Sequence, residues 1–212
     1  IPQLLAQQRI RVDGKLANDR DMLVNGFSLI TFDEQVVQAH QAVYLMLHKP
    51  CGVLSATNDK RHPVAMDLVD HPARDELHIA GRLDLHSSGL LLLTNDSAWS
   101  RHLSAPDSGV YKQYAVTVKN PLDTAYVAAF AAGMHFPFEN ITTRPAHLEI
   151  TGTHTARVSL QEGRYHQIKR MFGRFRNPVL SIHRYAIGNL MLDTNLQPGA
   201  WRELTSDEIN LV

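Results

Sequence analysis

With a single cysteine, Cys51, the 212-residue chain cannot close an internal disulfide or build a zinc site on thiolates. A reducing compartment, the cytoplasm, is the simpler expectation. Net charge is also missing, since 21 Lys and Arg balance 21 Asp and Glu, and this excludes a uniformly basic polyanion binder. No apolar run approaches the roughly 18 residues needed to span a bilayer. The longest, residues 125–132, is alanine-rich and stops at Gly133, so no membrane partner is expected. Twelve histidines invite a metal reading, but none has a helical His-x-x-x-His partner, and no metal is expected. Residues 1–6 are too short, and too poor in positive charge, for a signal peptide. Opening on Ile1 rather than methionine, the chain reads as a fragment without its true start.

What is present describes a folded chain: 44% apolar and 20% charged residues, at a length that suggests two domains, one of them small. Residues 2–8 suit the end of a helix. Arg9-Ile10-Arg11-Val12 alternates like a strand, Asp13-Gly14 is a hairpin turn, and residues 27–32 read as a further strand. The polar stretch that follows Phe32 marks a boundary, giving domains 1–40 and 41–212. Beyond it, strands are expected at 43–47, 77–80, 90–94, 114–118, 146–150, 156–160 and 179–187. Helices are expected at 98–103, 122–132 and 165–175, with a last helix starting at Thr205. More strand than helix, without regular βαβ alternation, points to an α+β fold.

The most informative stretch is Gly81-Arg82-Leu83-Asp84-Leu85-His86-Ser87-Ser88-Gly89, a polar loop held between two apolar strands. A carboxylate fixed there suits a nucleophile or base. The plain alternative is that Asp84 pairs with Arg82 or caps the turn. Ile168 shares helical spacing with Phe172 and Phe175, which usually means core. Tyr114 lies on an alternating strand, where an aromatic residue commonly packs across strands. Arg164, Lys169, Arg170, Arg174, Arg176 and Arg184 fall in one interval with no Asp or Glu, which reads as a local footprint for a polyanion.

Several motifs in order resemble a known family. Gly81-Arg82-Leu83-Asp84 with Gly89-Leu90-Leu91-Leu92-Leu93-Thr94-Asn95-Asp96 is similar to the signature of the RsuA-type pseudouridine synthases. Lys112-Gln113-Tyr114-Ala115-Val116, Thr143-Arg144-Pro145-Ala146 and Glu162-Gly163-Arg164-Tyr165-His166-Gln167-Ile168-Lys169-Arg170-Met171-Phe172 follow in the family's order. So do His183-Arg184-Tyr185-Ala186-Ile187-Gly188 and Pro198-Gly199-Ala200-Trp201-Arg202-Glu203-Leu204. The first forty residues resemble the second half of an S4 domain, a small RNA-binding module; a hairpin with Arg9, Arg11 and Lys15 merely solvated is the alternative there. His86-Ser87-Ser88 departs from the family's common Asp-Thr-Thr, and Tyr111 replaces an acidic residue.

The resemblance implies a pseudouridine synthase catalytic domain with a mainly antiparallel mixed sheet, preceded by a partial S4-like domain. It implies isomerisation of a uridine in 16S ribosomal RNA of the small subunit, of the type that modifies position 516, by a monomer without a cofactor. A 23S enzyme and a non-catalytic assembly factor are the rivals. Asp84 is then the catalytic carboxylate, acting at the base or at the ribose. Lys169 is the cation that keeps it ionised, since a nearby positive charge opposes the effect of burial. Tyr114 stacks on the uracil ring and Ile168 packs beneath it. Arg82, Lys112, Arg164, His166 and Arg170 are the remaining substrate contacts.

Overall fold

The computed structural model describes residues 2–212, which divide into a unit ending at Ala42 and a unit Val43–Val212. In the first, helix α1 (Pro2–Ala6) precedes strands β1 (Ile10–Val12), β2 (Lys15–Leu16), β3 (Ile30–Phe32) and β4 (Gln35–Gln38), in the order β2-β1-β3-β4. Asp13 and Gly14 both take positive φ, 50° and 77°, as the turn between β1 and β2 requires. Asp33 and Glu34 do the same at 47° and 65°, so the polar stretch read as a domain boundary contains a second hairpin. The strand expected at 27–32 is shorter because Asn25 accepts a hydrogen bond from the Phe27 amide at 2.8 Å and closes a turn there. Arg9 is tied to Asp33 and lies over the Phe32 ring, 4.5 Å from its centroid; Arg11 and Lys15 are exposed.

The second unit is built on one nine-stranded sheet. Its strands are β5 (Tyr44–Lys49), β6 (His78–Ala80), β7 (Ser88–Thr94), β8 (Lys112–Val118), β11 (His147–Gly152), β12 (Thr155–Leu160), β13 (Val179–Ile187), β14 (Leu190–Met191) and β15 (Trp201–Glu203). A separate two-stranded hairpin comprises β9 (His135–Phe136) and β10 (Ile141–Thr142). The path β11-β12-β8-β13-β7-β5-β15 is antiparallel except where β13 runs parallel to β7. That single parallel contact, His183 to Ser88 and Arg184 to Gly89, lies where the polar loop enters the sheet.

Helices α2 (Ser97–Ser104), α3 (Thr124–Ala132), α4 (Gln167–Gly173) and α5 (Ser206–Ile209) complete the unit. Asp96 caps α2 by accepting from the amides of Ala98 and Trp99, and Asp123 caps α3 by accepting from Ala125. Apolar side chains fall on both faces of the central strands. Leu91 and Leu93 join one cluster with Phe130, Met171 and Phe172, while Leu90 and Leu92 join another with Leu103 and Ile187. A strand covered on both faces reads as a continuous apolar run, which explains the four consecutive leucines.

Candidate active site

The loop from Gly81 to Ser87 lies between β6 and β7, and its main chain is held at each carbonyl. The buried Arg184 side chain donates to the carbonyls of Gly81 (3.2 Å), Arg82 (3.3 Å) and, beyond the loop, Leu90 (2.8 Å). Ser55 donates to the Leu83 carbonyl at 2.8 Å and accepts from the Leu83 amide at 3.0 Å. The amide of Ser87 closes on the Asp84 carbonyl, Gly52 donates to Leu85, and the Cys51 thiol reaches His86. Lys49, fully buried, donates to the Ser87 carbonyl at 2.6 Å and to that of Pro50 at 2.9 Å. A backbone bonded at every carbonyl holds the Cα of Asp84 in place, and with it the point from which the carboxylate reaches into the cleft.

Burial pushes the Lys49 ammonium down to about 8, opposed by the nearby Cys51 and Asp84 charges. Lys112 is lowered to about 8 in the same way, with the Arg184 charge adding to the effect.

Asp84 faces α4 across a cleft of about 250 Å³. The Lys169 ammonium lies 3.2 Å from Asp84 Oδ2, and His166 Nε2 lies 3.6 Å from the same oxygen. Both come from the start of α4, whose position depends on Glu162. This carboxylate, only 3% exposed, accepts from the Arg144 amide (2.9 Å), Arg164 Nε (2.9 Å) and Gln167 Nε2 (2.8 Å). His166 takes a left-handed conformation, φ 50°, just before the helix. The turn that Glu162 gathers also delays the helix, which begins at Gln167 and ends at Gly173 rather than spanning 165–175. Ile168, Met171 and Phe172 then face the core, so Ile168 belongs to the packed stripe and lines the cleft as well. Tyr114 of β8 is nearly buried, with its ring on the cleft wall.

Of the residues expected from the sequence, Asp84, Tyr114, Lys169, Arg82, Ile168, Arg164 and His166 all line this one cleft. Lys112 and Arg170 lie outside its lining. Lys112 shares the inward register of Tyr114 and Val116 and donates to the Val110 carbonyl at 2.8 Å. Arg170 pairs with Glu139 at 2.6 Å and lies 4.2 Å from the centre of the Phe136 ring. Arg184 likewise leaves the expected basic footprint, because β13 turns it inward with Ile182 and Ala186. Sequence reasoning gave no role to Ser55, Lys49 or Glu162. Lys49 is signalled by the apolar run of β5 that it ends, and Glu162 by its place at the head of the motif that closes on Phe172.

The arrangement is a carboxylate carried on a fully bonded loop, paired with a cation, and facing an aromatic wall in a cleft open to solvent. Residues 43–173 match the family model described as RNA pseudouridylate synthase. The chain belongs to that family. Among its relatives, the ribosomal small subunit pseudouridine synthase A of Pseudomonas aeruginosa is 51% identical over 97% of this chain and 90% of its own. The protein of that name from Escherichia coli K12 is 37% identical over 95% and 87%. A solved structure, the crystal structure of a pseudouridylate synthase, superposes with a TM-score of 0.78 at 34% identity, covering 99% of this chain and 91% of that one. The family resemblance read from the motifs and the mixed sheet expected for it are thereby established. Among the described residues of this pseudouridylate synthase no helix is long and apolar enough to cross a membrane.

Proposed function

We propose that this protein isomerises a uridine of 16S ribosomal RNA to pseudouridine, with position 516 as the target and Asp84 as the catalytic carboxylate. The observation that carries the reading is the Asp84–Lys169 ion pair at 3.2 Å inside a cleft walled by Tyr114 and Ile168. The reaction breaks the N1–C1′ bond and forms a C5–C1′ bond; the proton lost from C5 balances the one gained at N1. No electrons leave or enter, so the chemistry asks for a fixed carboxylate and a shaped pocket. The uridine must leave its stack to reach Asp84, which costs a few kcal/mol. Stacking against Tyr114 and packing on Ile168 offset that cost inside the cleft. Exposed Arg82 and Arg164 suit flanking phosphates, since a guanidinium fork matches phosphate geometry. The target in small-subunit RNA is supported by the names of relatives that match nearly the whole chain. Exposed Arg11 and Lys15 on the β1–β2 hairpin support an RNA contact by the N-terminal, S4-like unit.

The test is incubation with unmodified 16S and 23S transcripts and precursor particles, followed by carbodiimide-dependent primer extension. A new stop in 16S RNA that D84N abolishes is the expected result. Stops confined to 23S RNA would refute the choice of target. RNA binding with no new stop on any substrate would refute the enzyme.

A further inference from the structure

Tyr165 is a large aromatic residue on the cleft wall, yet it is 75% exposed. Its ring lies against the imidazole of His166, with centroids 3.9 Å apart and planes inclined by 21°. Among the described residues the Tyr165 hydroxyl makes no hydrogen bond, so the fold uses the ring and not the hydroxyl. His166 reaches back to Asp84 at 3.6 Å from a left-handed backbone that few non-glycine residues adopt. One face of the Tyr165 ring is therefore covered by a side chain of the active site, and the other faces solvent. The two rings make a short stack that leads from the mouth of the cleft to the carboxylate.

We propose that the open face of Tyr165 receives the nucleobase next to the extruded uridine, so that flanking base, Tyr165 and His166 form one continuous stack over Asp84. The inference rests on the pseudouridine-forming reading and adds a second base subsite to it. Flipping a uridine toward Asp84 uncovers one face of its neighbour in the strand. An aromatic ring already braced at the cleft mouth covers that face again, and it does so for any base, because every base presents a π-face. Exposed Arg82 and Arg164 on the same cleft hold positive charge where the backbone on either side of the flipped nucleotide would run. The subsite thus contributes affinity for the flipped RNA without reading the identity of the flanking base.

The experiment measures filter binding of a 16S fragment containing the target uridine, in a D84N background so that the RNA stays unreacted. The flanking nucleotides are replaced one at a time by an abasic residue. Y165A is expected to weaken binding to intact RNA by about 5- to 150-fold, the range for loss of one base–aromatic stack. Y165F, which keeps the ring, recovers most of that loss. On RNA abasic at one of the two flanking positions, the difference between Y165A and its parent should shrink to less than about twofold. An equal loss on intact and both abasic RNAs would mean that Tyr165 acts only through His166 and would overturn the proposal, as would no loss on intact RNA. Conversion of the same fragment by the enzyme with Asp84 intact is read separately. Its failure would remove the pseudouridine reading, whereas conversion without a Tyr165 effect removes only the stack.

Discussion

A guanidinium buried away from any carboxylate gives up its water shell, so it must be satisfied by whatever dipoles surround it. Arg184 meets this demand with the carbonyls of Gly81, Arg82 and Leu90, and in doing so it clamps the loop that carries Asp84. R184M removes the donors and leaves those carbonyls short of partners. The expected loss is about 3 kcal/mol of stability by urea unfolding, given roughly 1–3 kcal/mol per unsatisfied buried group. Single-turnover pseudouridine formation should fall at temperatures where the variant is still folded, and R184K should restore only part of it, because one ammonium cannot span the sites of a fork. A variant within about 0.5 kcal/mol of the parent would show that water replaces the clamp. The sequence made Asp84, Lys169, Tyr114 and Ile168 legible through ordered motifs. It misled at Arg184, where a run of cations looked like one surface although strand alternation with Ile182 and Ala186 turns this one inward. Glu162 was hidden for another reason: its donors Arg144, Arg164 and Gln167 converge only once two segments have folded together.

At the scale of elements, the close approach of β7 to β13 sets the geometry of the site. Gly89 sits at φ 111°, and a Cβ placed on it would come within 2.2 Å of the Arg184 carbonyl oxygen and 2.7 Å of its amide nitrogen. G89A must therefore separate the parallel pair or twist β7. Backbone strain and overpacking of about 1–3 kcal/mol each give an expected destabilisation near 3 kcal/mol, read from the shift of the thermal or urea midpoint. A shift no larger than that of an exposed alanine substitution would show that the strands yield freely. The same elements explain what the sequence could reveal about the fold. β13 was legible end to end at 179–187, and α2 to within one residue at each end, because strand and helix periods are local signals. The short strands β14 and β15 were not, since β15 exists only by pairing with Leu45, Met46 and Leu47 of β5, far away in sequence.

For the whole molecule, zero net charge conceals an uneven placement of cations. Lys49, Lys112 and Arg184 are buried among main-chain carbonyls, while Arg11, Lys15, Arg82, Arg174 and Arg176 remain on the surface. The buried lysines make global stability depend on pH in the alkaline range, in the direction opposite to that of a lysine held by a surface ion pair. Below about pH 8 both are protonated whether the chain is folded or not, and the full penalty of burying their charge is present. Between about 8 and the ordinary lysine value of 10.5 the folded protein has released protons that the unfolded chain still holds. More protons on the unfolded chain mean that stability rises with pH, by up to about 1.4 kcal/mol per pH unit for each lysine. The window closes near pH 10, where Tyr44, raised to about 12 by burial and by its bond to Asp96, keeps a proton that unfolded tyrosine loses. Urea unfolding at pH 7, 8, 9 and 10 should therefore show a free energy that is flat at first and then climbs. K112M, which keeps much of the aliphatic stem and removes one titrating group outside the cleft, should lower the slope between pH 8 and 10 by about half. A parent slope of zero or below across that interval would mean that both ammonium groups keep their protons in the fold, held by the carbonyls of Val110, Pro50 and Ser87.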